Sequence, residues 1–125
     1  MTKDQALHSF WSQFSLPAYE ENSVPLGSAV PEMPYITYEN ATDSIGYQMV
    51  LSASLWYRST SWSEISAKTE EIAKKIGYGF LTIPLDKGYL WIAKGMPFAR
   101  RMRDENDLMV KRMLINILVE FLTDY

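Results

Sequence analysis

The stretch YRSTSW, residues 57 to 62, places three hydroxyls, Ser59, Thr60 and Ser61, between Arg58 and Trp62. A serine becomes a nucleophile when a general base sits beside it, most often an imidazole. The chain has one histidine, His8, next to Ser9 on a helical stretch, where adjacent side chains diverge by about 100°. It has no Gly-x-Ser-x-Gly elbow. A second explanation accounts for the hydroxyls with less. Ser61 and Glu64 stand at capping-box spacing, and Trp62, Ile65, Thr69, Ile72, Ala73 and Ile76 follow at helical steps. The serines therefore read as helix-start chemistry.

Metal chemistry has little to build on. With one histidine and no cysteine, only carboxylates remain, and neither Glu20-Glu21 nor Asp104-Glu105-Asp107 has the alternation and central glycine of a calcium loop. The remaining charge feature is Arg100, Arg101 and Arg103, followed at once by Asp104, Glu105 and Asp107. Such arginines grip phosphate or an acidic partner, or they form a self-neutralising solvated loop; both readings stay open. The sequence shows no catalytic constellation, and it calls for no metal or cofactor.

The elements that position these residues follow from periodicity. Thr2 and Gln5 form a capping-box pair, and Ala6, Leu7, Phe10, Trp11 and Phe14 make one apolar helix face that Pro17 ends. Residues 17 to 34 carry four prolines and a glycine, which predicts an irregular arm. An arm this long either serves a partner surface or packs along its own domain. Strands are predicted over Tyr35 to Ala41 and Tyr47 to Ser59, joined by the turn TDSIG. In the second, Tyr47, Met49, Leu51, Ala53, Leu55 and Tyr57 share a core face, and Gln48, Val50, Ser52, Ser54, Trp56 and Arg58 the other.

The helix begun at Ser61 carries three Glu-before-Lys pairs, Glu64–Lys68, Glu70–Lys74 and Glu71–Lys75, and closes at Gly77. Phe80 to Leu85 and Tyr89 to Lys94 form a hairpin around Asp86-Lys87-Gly88, with Pro84 marking an edge strand. Residues 95 to 109 read as a charge-rich connection. Met109 to Leu122 reads as a final strand, with a helix as the alternative, since Leu and Met are frequent there. The predicted architecture is one α+β domain over residues 1 to 125. It has a mainly antiparallel sheet, two helices packed on it, and the order α-β-β-α-β-β-β.

Composition sets the outer bounds. A 47% hydrophobic fraction in 125 residues predicts a folded core, and a net charge of −3 opposes a surface built wholly for nucleic acid. The absence of cysteine fits a reducing compartment. The first residues lack the apolar core of a signal peptide, and no run reaches the roughly 18 to 20 apolar residues of a membrane span. Aromatics exceed what a small core takes up, which points either to interfaces or to a second core layer beneath the helices. On these grounds the candidate interface residues are Val24, Leu26, Val30 and Met33 of the arm, Trp56 and Arg58 at a strand end, and Phe98, Arg100, Arg101 and Arg103.

The phrases HSFWSQFSLPAYEENSVP, PYITYE, ASLWYRSTSWSEI and KGMPFARRM, spread over nearly the full chain, resemble the tail completion or tail terminator proteins of long-tailed bacteriophages and prophages. That resemblance implies an α+β fold without catalysis or cofactor. Subunits that are often monomeric alone form a six-membered ring on the head-proximal end of the tail tube. There the ring stops tube growth and docks on the head connector. The implied partners are further copies of the chain, the tube protein and the connector. DNA passes through the lumen without specific binding, and the implied location is the virion, after assembly in the host cytoplasm. A neighbouring connector protein, or a small enzyme or binding module with a site built from scattered carboxylates and arginines, are the competing readings.

Overall fold

In a computed structural model, which describes residues 1–40 and 48–123, the chain forms two α-helices and one six-stranded sheet. The elements are α1 (Lys3–Ser12), β1 (Ala18–Glu20), a 3-10 turn (Gly27–Ala29), β2 (Tyr35–Tyr38), β3 (Met49–Arg58), α2 (Ser63–Ile76), β4 (Phe80–Leu85), β5 (Gly88–Arg103) and β6 (Val110–Thr123). The spatial order is β1-β2-β3-β6-β5-β4, antiparallel at every pairing except β1 with β2. The predicted α+β class and element order hold, with one short strand added. The predicted turn TDSIG lies outside the described residues.

Alternation decides which face is buried. Leu51, Ala53, Leu55 and Tyr57 of β3 pack with Met113, Ile115, Ile117, Val119 and Phe121 of β6, and with Leu90 and Ile92 of β5. The helices bring Ala6, Leu7, Phe10 and Trp11, and Ile65, Ile72 and Ile76, into this same cluster. Helix α1 touches both end strands, β1 and β4, so the sheet curls and the helices fill its concave side. Three aromatics lock α1 in place: Phe10 meets Trp11 and Phe14 edge-on, with centroids 4.9 and 5.5 Å apart.

Several expectations are corrected. Proline does not end α1: the helix closes at Ser12 with Gln13 as its cap, and Ser15 reverses the chain at φ 63°. Residues 17–34 are not wholly irregular, because Pro17 O accepts from Ile36 N and Ala18–Glu20 pairs with β2 as a parallel strand. The capping box predicted at Ser61 does not form. Trp62 is the N-cap, Ser59 Oγ accepts from Ser61 N, and Ser61 Oγ accepts from Ser63 N. The serines remain helix-entry punctuation, as a chain of short turns. The three Glu–Lys pairs do not close; Lys68 instead donates to Phe14 O at 2.7 Å and pairs with Glu71.

The largest correction concerns residues 95 to 103, which are strand rather than connection. Pairing with β6 breaks after Lys94, bulges, and resumes from Ala99 to Arg103. Gly95 permits the break, because a Cβ there would lie 2.9 Å from Asn116 Cβ and O. Asn116 Nδ2 bridges the bulge by donating to Pro97 O. The Met109 to Leu122 segment is strand, and Pro84 does lie on an edge strand.

Candidate interaction surface

The convex face of the sheet carries the residues that alternate out of the core. Registry sets them side by side: Trp56 faces Arg112 across β3 and β6, and Tyr35 faces Trp56 across β2 and β3. The Arg112 guanidinium lies 4.9 Å from the Trp56 ring centroid, Trp56 stacks on Tyr35 at 6.3 Å and 25°, and Tyr19 meets Tyr35 edge-on at 6.1 Å. A single row of one cation and three rings thus crosses four strands. It is pinned by polar contacts: Trp56 Nε1 donates to Thr37 Oγ1 at 2.9 Å, and Arg112 Nε donates to buried Ser54 Oγ at 2.9 Å.

Beside this row lies a groove of about 460 Å³, lined by Glu21, Val24, Tyr35, Glu39, Trp56 and Arg112 among others. Further along the same face, Ser52 Oγ donates to Asn116 Oδ1 at 2.7 Å, and Val50, Phe80, Tyr89 and Leu122 are exposed hydrophobics. The pKa of the Tyr35 hydroxyl is raised by burial and by nearby Tyr19, so it stays a neutral donor well beyond neutrality.

The candidate residues fall in separate places. Val24 and Trp56 line the same groove. Leu26, 84% exposed, and Val30 flank the 3-10 turn, while Met33 is half-buried. Arg58 pairs with Asp107 at 2.7 Å. Phe98 packs against the core with Lys94 Nζ 5.8 Å from its ring centroid. The three arginines do not act as one cluster. Arg100 pairs in register with Leu114 on the convex face, whereas Arg101 lies over Trp62, 5.0 Å from its centroid, and exposed Arg103 lines a small pocket with Trp62.

Sequence reasoning missed Arg112, Tyr35 and Ser54 as one constellation. Each occupies the outward register of its strand, so alternation supplied their common face, but cross-strand neighbours depend on pairing order. It also missed the partners of His8. Its Nδ1 lies 3.1 Å from the Tyr38 hydroxyl and its Nε2 lies 3.2 Å from Ser12 Oγ, one helical turn on, a spacing visible in the sequence. His8 and Tyr38 line an open depression of about 540 Å³ with Asp4, Glu20 and Asn40. Burial, then Glu20 and Asp4, raise the Tyr38 pKa. Asn40 Oδ1 in the same place is buried without a hydrogen-bond partner among the described residues.

Among the described residues no group of three or more His, Cys, Asp or Glu side chains could hold a metal ion, and no helix is long and apolar enough to cross a membrane. What the convex face offers is binding area: flat stacked rings, fixed polar groups and exposed aliphatic side chains. Comparisons with protein-family models, curated proteins and solved structures find no match for this chain.

Proposed function

We propose that the chain is a structural virion protein that caps the head-proximal end of a long phage tail tube. Copies close into a ring, six-membered as the tail terminator resemblance implies, stop tube growth and present the surface that joins the head. The observation that carries this reading is the convex sheet face. It has a rigid aromatic row and the exposed side chains Val50, Phe80, Tyr89 and Leu122, while the helices occupy the concave side. A head-to-tail ring needs two different adhesive surfaces on each subunit. The convex face, the exposed arm residues Leu26 and Val30, and the two unlike end strands β1 and β4 supply them. The work is done by surface complementarity, with no bond made or broken.

The test is genetic and read by electron microscopy. Loss of the gene from a phage that encodes this chain gives abnormally long tails without heads. Tails of normal length beside unattached, leaking heads would instead assign the chain to the connector.

A further inference from the structure

Register joins the exposed apolar residues of the convex face into one shelf. Val50 pairs with Leu118, Leu118 with Ala93, and Ala93 with Phe80, while Tyr89 pairs with both Leu122 and Pro84. Trp91, between these rows, packs on Phe80 with centroids 5.6 Å apart. Val50, Phe80, Tyr89 and Leu122 each remain about half exposed. Phe80 and Tyr89 alone leave about 200 Å² bare, and the whole shelf reaches the few hundred Å² that mark an interaction site. The helices lie on the other face, so no described element of the same copy covers it.

A second bare surface stands at the opposite edge of the sheet. The arm between β1 and β2 is rooted by Glu20, whose O accepts from Ser23 N and whose carboxylate accepts from Asn22 N, and by Val24 in the groove. Past that root the chain projects. Leu26 and Val30 flank the 3-10 turn, closed by Ala29 N donating to Leu26 O and Val30 N donating to Gly27 O. Gly27, at φ 64°, permits the turn, and Pro25 and Pro31 bracket it. The tip is therefore a preformed apolar knob.

This knob does not reach its own shelf. On β3 the groove that holds Val24 ends at Ser52, which pairs with Asn116. Leu122 lies six residues further along β6, roughly 20 Å, and Tyr89 is one strand beyond. Leu26 is two residues from Val24, a reach of about 7 Å.

We propose that the arm tip of one copy, Leu26 and Val30 with Pro25 and Pro31, docks on the Phe80, Trp91, Tyr89 and Leu122 shelf of the next. The assignment rests on the ring reading and names its two unlike surfaces. Chemistry favours this occupant. Proline-rich segments dock on aromatic surfaces because their stiff chains lose little entropy on binding. Residues 25–31 are uncharged, so the shelf's own carboxylate, Glu120 opposite Trp91, does not repel them. The arm beyond carries Glu32, and Lys87 stands exposed beside Tyr89 without an ion pair among the described residues, whereas Asp86 of that turn is held by the Met1 amine. Knob and shelf occupy opposite edges of the sheet, so the contact repeats head to tail. A single contact falls short of the about 800 Å² per partner of a stable interface, which leaves dilute copies apart until many contacts close together.

The chain has no cysteine, which lets the contact be trapped covalently. Full-length Ala29→Cys, carrying a size tag, is mixed at high concentration with Thr82→Cys or Leu122→Cys, which mark two sides of the shelf, and oxidised. Circular dichroism checks folding. Mixed disulfides with at least one shelf position exceed those with Lys74→Cys, an exposed control on α2, by about 10-fold. Val30→Ser in the arm chain or Phe80→Ser in the shelf chain removes that excess. Control-level yields at both shelf positions overturn the docking, as do folded serine variants that keep the full yield. Trapping mainly between like variants, arm to arm or shelf to shelf, overturns it too. Tails of a phage carrying Leu26→Ser/Val30→Ser are scored separately: normal tails with a control-level yield remove the docking and leave the terminator reading standing. Normal tails on loss of the gene remove that reading, while a specific mixed disulfide still establishes the contact.

Discussion

The guanidinium of Arg112 lies over the Trp56 indole, 4.9 Å from its centroid, with the two residues directly opposite in the β3–β6 ladder. The arginine charge is held over a ring face while its Nε donates to Ser54 Oγ, so both partners are fixed before any ligand or subunit arrives. Trp56→Ala is expected to destabilise the fold by about 2 kcal/mol, from lost burial and the bond to Thr37. Arg112→Ala costs about 1 kcal/mol. A double-mutant cycle in urea gives a coupling of about 0.5–1 kcal/mol, and strict additivity would refute the contact.

Helix α1 is held by its aromatic face rather than by its length, which is only 10 residues. Phe10→Ala removes a side chain that is 1% exposed and contacts both Trp11 and Phe14. The expected loss is about 3–5 kcal/mol. Denaturant melts should show the whole sheet unfolding earlier with it, since α1 bridges the two end strands.

Gly95→Ala should cost about 1–3 kcal/mol, because the new methyl group meets Asn116 at 2.9 Å from both its Cβ and its backbone oxygen. Gly88→Ala should be worse: a Cβ there would come 2.0 Å from Leu122 O, at φ 122°. Thermal melts of the two variants order them, and a neutral Gly88→Ala would contradict the described β5–β6 pairing.

Alkaline pH tests the buried and half-buried phenols. The pKa values of Tyr35, Tyr38 and Tyr57 are all raised above the ordinary 10.0, burial being the largest cause in each. A raised folded value means that the native state keeps its proton after the unfolded state has lost it. Their contribution to stability is therefore complete below pH 10.0 and falls as pH climbs from there through the folded values. Phenolate absorbance should show these hydroxyls titrating late, and Tyr57→Phe should flatten part of the alkaline stability loss.

The serines before α2 give a last check. Ser59→Ala and Ser61→Ala each remove one acceptor for a backbone amide, with an expected cost of about 0.5–1 kcal/mol in a chemical melt. If the proposed tail-capping role holds and these hydroxyls are only structural, both variants complement a phage that lacks the gene. Loss of capping with stability unchanged would reopen a chemical role for these hydroxyls.

Much of this fold was legible from periodicity. The alternation of β3, the apolar face of α1 and the Thr2–Gln5 capping box depend on spacing along the chain, and all three are present. The second half of β5 was hidden because Gly95, Pro97 and three arginines carry the signature of a loop. The strand survives there because the pairing steps over a bulge and β6 offers a continuous partner. The three-residue β1 was hidden among prolines, since its pairing is with a strand fifteen residues on and no local signal announces it.

Local chemistry, then, is what the amino-acid order settled alone: where α1 starts, which side of β3 is greasy, and that no thiol or histidine cluster exists. Which outward residues become neighbours was decided only by the tertiary structure. Strand order placed Arg112 beside Trp56 and Tyr35, and brought Glu21 and Glu39 to the same groove. The physical reason is that alternation is a property of one strand, whereas adjacency across a sheet arises from pairing between segments distant in sequence.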